Sequence, residues 1–236
     1  MRRFLALLAL TALLVSQVPS VADAVSRWPI EKVTASTVKI DIFYKPYGDD
    51  GPEFNGHCSG FSVRSYKAQG VPYGLFVSAD HCVIKGARYE IEGKPAWPMD
   101  GLIEGGKVTD TRYEGEDIVV FLSLDVQKPE LEIGLLPQTG ETILGMGYGL
   151  DSPTPLFFDG LVISLNYLVD DMGYRMYFSN NWIPGMSGGP IINQKGKIVS
   201  VVQCGGHPAS HYQNIGCGAR YWTLAKMIQE LKQLGR

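Results

Sequence analysis

Charge is what this sequence has least of. Asp, Glu, Lys and Arg make up 19% of its 236 residues, against about 25% in an average soluble chain. The two signs nearly balance, 21 basic against 24 acidic, for a formal net charge of −3. A nucleic-acid binder working through a basic surface is therefore excluded. After the N-terminus no apolar run approaches the roughly 20 residues of a membrane-spanning helix, which excludes a polytopic membrane protein. Internal repeats and low-complexity stretches are also missing. Disorder is excluded by what is there: the chain is 45% hydrophobic and 11% aromatic, ample surface for a core. Glycine is plentiful, with 28 Gly beside 14 Pro, as expected of a turn-rich β protein.

The first residues read as an export signal. Met1-Arg2-Arg3 is basic, Phe4 to Val15 is apolar apart from Thr11, and Ala22-Asp23-Ala24 supplies a small-residue cleavage site. The apolar stretch is too short to span a bilayer, so residues 1–24 are expected to be removed. The mature chain would be secreted or periplasmic and hold no stable membrane anchor. Four cysteines in an exported chain suggest two disulfides, with three connectivities open. His57-Cys58 and His81-Cys82 match none of the usual zinc-ligand spacings, so no metal is expected.

The body reads as strands. Val33 to Tyr44 alternates around Val38, Ile40 and Ile42, and β-type runs follow at 60–65, 73–79, 118–124, 142–148, 161–169, 174–178, 190–193 and 198–203. Ala219 to Trp222 is expected as the last strand. Strands without intervening helices point to an all-β sandwich or barrel. One helix is expected, starting at Thr223 as N-cap, because Leu224, Met227, Ile228, Leu231 and Leu234 fall three and four apart. The Pro-containing segment 127–137 is the best boundary between two halves, 25–130 and 131–236.

Three segments carry chemistry: Val77-Ser78-Ala79-Asp80-His81-Cys82, Glu116-Asp117-Ile118-Val119-Val120 and Gly185-Met186-Ser187-Gly188-Gly189-Pro190. A serine hydroxyl is a poor nucleophile until a base takes its proton, and a neutral imidazole can do so. A carboxylate behind the ring fixes its tautomer. Glycines beside the serine allow backbone N–H groups to converge on a developing oxyanion. Each feature alone is unremarkable, since a serine between glycines is ordinarily a tight turn. Gly185 to Gly189 also fits the G-x-S-x-G elbow of α/β-hydrolases. That fold needs an acid and then a histidine after the serine. The only carboxylate side chain after Ser187 is Glu230, which follows both His207 and His211.

In this order and these contexts, with Cys58-Ser59-Gly60-Phe61, the sequence resembles the chymotrypsin-like serine peptidases over roughly residues 33–222. The resemblance implies two six-stranded antiparallel β-barrels with a C-terminal helix and a cleft between the barrels. It implies His81 as base, Asp117 as its orienting acid and Ser187 as nucleophile. The N–H groups of Gly185 and Ser187 would form the oxyanion hole. The substrate is then a protein or peptide, and no cofactor is needed. It further implies a Cys58–Cys82 bridge clamping the histidine loop, which leaves Cys204 and Cys217 as the second pair.

The departures are informative. Met186 stands where digestive members carry an aspartate that binds a freed N-terminus, and no Ile-Val-Gly-Gly-like start follows the signal. Compact bacterial or viral members are the better match. By family analogy Asn181 would floor the primary pocket, with Gln203, Gly205 and Gly218 on its walls. A neutral floor disfavours Arg or Lys before the scissile bond. The alternative is a non-catalytic homologue, exported as a protein-binding module.

Overall fold

The structure is a computed structural model that describes residues 28–45, 53–68, 70–100, 102–104, 107–109, 112–169, 173–205 and 215–233. The proposed signal segment 1–24, the turn at 48–51, His207 and His211 lie outside the described residues. The chain opens with helix α1 (Ile30–Ser36), followed by β1 (Thr37–Tyr44), β2 (Phe54–Ala68) and β3 (Val71–Ser78). A 3-10 turn (Asp80–Cys82) leads to β4 (Arg88–Ile91), β5 (Lys94–Met99), β6 (Leu102–Glu104), β7 (Lys107–Thr109) and β8 (Arg112–Tyr113). A second 3-10 turn (Glu114–Glu116) precedes β9 (Ile118–Leu124). The rest is β10 (Thr142–Gly147), β11 (Leu156–Val169), β12 (Gly173–Phe178), β13 (Pro190–Asn193), β14 (Ile198–Cys204), β15 (Gly216–Gly218) and helix α2 (Tyr221–Leu231).

These strands form two closed six-stranded antiparallel barrels. The first runs β3-β2-β1-β4-β5-β9 and closes by pairing β9 with β3; β8 extends β9, and β6 with β7 forms a separate ribbon. The second runs β10-β11-β12-β15-β14-β13 and closes by pairing β13 with β10.

Side-chain alternation explains why several strands are apolar throughout. On β3 and β9, Phe76, Val119 and Phe121 fill the first barrel with Ile40, Tyr89 and Ile91. Their neighbours Leu75, Val77, Ile118 and Val120 face the other way and meet Leu144, Met146, Ile192 and Val201 of the second barrel. Both faces are buried, so charged residues have no place on them, and the buried polar side chains there are the small Ser78 and Ser123. Met227, Ile228 and Leu231 of α2 join this shared core. Arg64 donates to the Lys232 carbonyl at 2.7 Å and ties the end of α2 to the first barrel.

Three sequence expectations are corrected. Residues 33–36 were expected in a strand but lie in α1. Val33 is buried in the shared core, and the Ser36 and Thr37 hydroxyls donate to the carbonyls of Lys32 and Val33 at 2.8 Å, so packing and local hydrogen bonds override β-branched propensity. The last strand is Gly216–Gly218, held between β12 and β14, whereas Tyr221 and Trp222 open α2. Arg220, not Thr223, is the helix N-cap residue. Strands β4 and β5 were not foreseen; a two-residue turn at Glu92-Gly93, both with positive φ, joins them.

Candidate active site

Asp117 and His81 meet directly. One Asp117 carboxylate oxygen accepts the His81 backbone N–H at 2.7 Å, and the other lies 2.8 Å from Nδ1. With Nδ1–H donated to a carboxylate, the neutral ring keeps its lone pair on Nε2. Histidine reaches this position because it sits in the 3-10 turn that ends β3, and the Cys58–Cys82 disulfide pins the next residue to β2. Closing that loop is worth roughly 3 kcal/mol. The second bridge joins Cys204 and Cys217 across β14 and β15. All four cysteines are in disulfides, as suits an oxidising compartment.

Asp117 has φ +54°, a left-handed conformation that Asp and Asn tolerate better than most side chains. Three residues of the second barrel secure its turn. Buried Gln203 donates from Nε2 to the carbonyl of Asp117 at 2.8 Å and to that of Glu116. Arg220 pairs with the Glu116 carboxylate, and Arg175 donates to the Gly115 carbonyl at 3.4 Å. Burial lowers the Arg175 guanidinium from its ordinary pKa, and the charge of Asp117 opposes that shift. Nothing local in the sequence marks Arg175 or Arg220 as supports, because both reach the turn only through the docking of the two barrels.

Ser187 is half-buried in the segment between Trp182 and β13. Its carbonyl accepts the Ser59 N–H at 2.7 Å. The next residue, Gly188, is packed so closely on Ser78 and Ala79 that a Cβ would overlap the Ser78 hydroxyl. The serine segment thus abuts the strand end that carries His81.

The peptide planes around Ser187 have a defined sense. Pro184 C=O accepts from Leu150 N–H at 3.1 Å, and Met186 C=O accepts from Gly189 N–H at 2.9 Å. In a trans peptide the N–H points opposite to the C=O. The N–H groups of Gly185 and Ser187 are therefore turned away from those partners, and neither donates within the described residues. The intervening Met186 N–H is used, on Ile183 C=O at 3.1 Å, as is that of Gly188, on Val202 C=O at 2.7 Å. Two free donors two residues apart, on either side of a serine segment, are suited to bind a developing oxyanion. Gly185 has φ +93°, and a Cβ there would overlap His57 Nε2 and the Tyr148 carbonyl.

No protein-family model and no curated protein matches the chain. Its chemistry has to be read from this geometry.

The four residues expected around a substrate pocket sit in different surroundings. Asn181 is exposed, with Oδ1 3.4 Å from where a Gly205 Cβ would sit. Gln203 is turned to the Asp117 turn, and Gly218 faces Ser200 and Val201 within the barrel wall. Trp182, which sequence reasoning did not single out, packs beside Gly205 and Gly216 and belongs to the core of the second barrel. Its carbonyl blocks a Cβ at Gly205, and its indole lies against Gly216 on one side and Gly145 on the other. The indole Nε1 is buried without a hydrogen-bond partner among the described residues. Gly145 and Gly216 are the glycines that leave room for the ring.

Proposed function

We propose that the chain is an exported serine endopeptidase of the chymotrypsin-like kind. Ser187 attacks the scissile carbonyl, and His81 Nε2 takes its proton and returns it to the leaving amine. Asp117 holds the ring in the required tautomer and stabilises the imidazolium. The N–H groups of Gly185 and Ser187 receive the oxyanion, and water then releases the acyl group from Ser187. The observation that carries this reading is the two-point clamp of Asp117 on His81, combined with the outward-turned, unused donors at Gly185 and Ser187. The two-barrel architecture is compatible with it. Because the Trp182 carbonyl closes on Gly205 and its indole lies against Gly216, the favoured residue before the scissile bond is small and uncharged.

Fluorophosphonate labelling and casein hydrolysis test the assignment. The wild-type protein should be labelled and active, and Ser187→Ala, folded to the same melting temperature, should lose both. A wild-type protein that resists labelling would instead be a binding module of the same architecture.

A further inference from the structure

A second histidine lies behind the oxyanion donors and takes no part in the chemistry above. His57, on β2 just before Cys58, has a side chain only 10% exposed. Its Nε2 is 2.8 Å from the Tyr148 carbonyl, and its Nδ1 is 3.1 Å from the carboxylate of Asp151. One ring thus grips both ends of the segment Tyr148-Gly149-Leu150-Asp151. Within that segment Leu150 and Asp151 have φ of +50° and +56°. Two consecutive left-handed non-glycine residues, one of them leucine, are costly and persist only where surroundings hold them. Leu150 is also the residue whose N–H binds Pro184 C=O and so turns the Gly185 N–H outward. A parallel tie runs through Ser59, whose hydroxyl donates to Gly185 C=O and accepts Tyr148 N–H, both at 2.8 Å.

We propose that His57 and Asp151 are positioning residues that hold the 148–151 segment in its strained form and thereby keep the Gly185 donor aimed at the oxyanion. The inference rests on the peptidase reading and adds to it a support for the oxyanion loop. Both ring nitrogens face acceptors, so the grip is complete only when both carry protons. A neutral ring keeps the bond to Tyr148 and loses the one to Asp151. Among the described residues, the charged side chains at the paired register positions are Asp41 on β1 and Glu90 on β4 beyond it. Lys39 lies 3.2 Å from Asp41 and Arg88 pairs with Glu90, so both carboxylates already have cationic partners. Asp151 is the acid at bonding distance from the ring. It is 87% exposed, so its replacement by Asn leaves the core untouched.

The test is steady-state hydrolysis of a peptide substrate by the full chain carrying Asp151→Asn or His57→Gln, measured at one neutral pH beside Ser187→Ala. A lost oxyanion donor costs about 10²–10³ in kcat, so a loosened one should cost at least about tenfold. The loss should fall on kcat, with KM within twofold. Both variants retaining kcat within twofold of wild type, or a defect confined to KM, would overturn the proposal. Fluorophosphonate labelling of the wild-type protein separates the two levels. Labelling with no kcat defect in the variants sinks the positioning role alone, whereas no labelling of wild type removes the peptidase reading and the positioning role with it.

Discussion

Replacing Asp117 by Asn asks what the carboxylate does for His81, with little disturbance of anything else. The two side chains have the same shape, and Asn tolerates the φ of +54° found here. The carboxylate accepts twice, from the His81 backbone N–H at 2.7 Å and from Nδ1 at 2.8 Å. An amide offers one acceptor and one donor. If its oxygen faced Nδ1, its NH2 would meet the His81 backbone N–H, donor against donor at 2.7 Å. The amide therefore turns its NH2 to Nδ1, which must become the acceptor, and the ring proton moves to Nε2. A ring protonated on Nε2 has no lone pair there to accept the Ser187 proton. The wrong tautomer in such a triad costs about 10⁴ in kcat, or about 5.4 kcal/mol in the barrier. Stability should suffer only the exchange of a charged for a neutral hydrogen bond, about 1 kcal/mol, or about 2–4 °C in Tm. The assay is kcat on a peptide ester or amide at pH 7, beside a thermal melt. A loss below tenfold with the melt intact would refute the tautomer reasoning.

Two further predictions concern the oxyanion loop and the pocket. Gly185→Ala places a methyl group onto His57 Nε2 and the Tyr148 carbonyl at a φ of +93°, so the loop must shift; kcat should fall about 10²–10³-fold with KM little changed. A near-wild-type rate in this variant, by single-turnover kinetics, would remove Gly185 from the oxyanion hole. Trp182→Val should empty the space between Gly145 and Gly216 at a cost of about 2–4 kcal/mol in stability and move the preferred residue before the scissile bond toward larger side chains. A positional peptide library read against both proteins checks this, and an unchanged profile would place the pocket elsewhere.

Much of the first barrel was legible because its signal is local. The apolar runs at 73–79 and 118–124 announce β3 and β9, and their lack of polar alternation reflects burial on both faces, one toward the barrel interior and one toward the other barrel. Strands β4 and β5 were not legible. Pro95 and Pro98 punctuate β5, and its place is decided by pairing with β9, some 23 residues further along the chain at Pro98 and Phe121. Helix α1 escaped notice for the converse reason: its Val33 and Thr34 favour strand locally, and only the shared core makes the helical turn worthwhile.

The candidate site divides in the same way. His81, Asp117, Ser187 and the glycines beside the serine could be named from the sequence, since nucleophilic chemistry demands those residue types and they stand in revealing local contexts. The scarcity of charge likewise follows from an interior shared by two barrels, a property that composition reports directly. What supports those residues could not be named. Gln203, Arg175 and Arg220 act on the Asp117 turn across the interface between the barrels, and His57, Ser59 and Leu150 act on Gly185 from one strand, β2, and a loop. Trp182 fills a region that single-residue analogy had left open. Reactive residue types are a matter of chemistry that one side chain carries by itself. Their orientation depends on hydrogen bonds between segments far apart in the sequence, 36 residues for His81 and Asp117 and 126 for Ser59 and Gly185, and those exist only once the chain has folded.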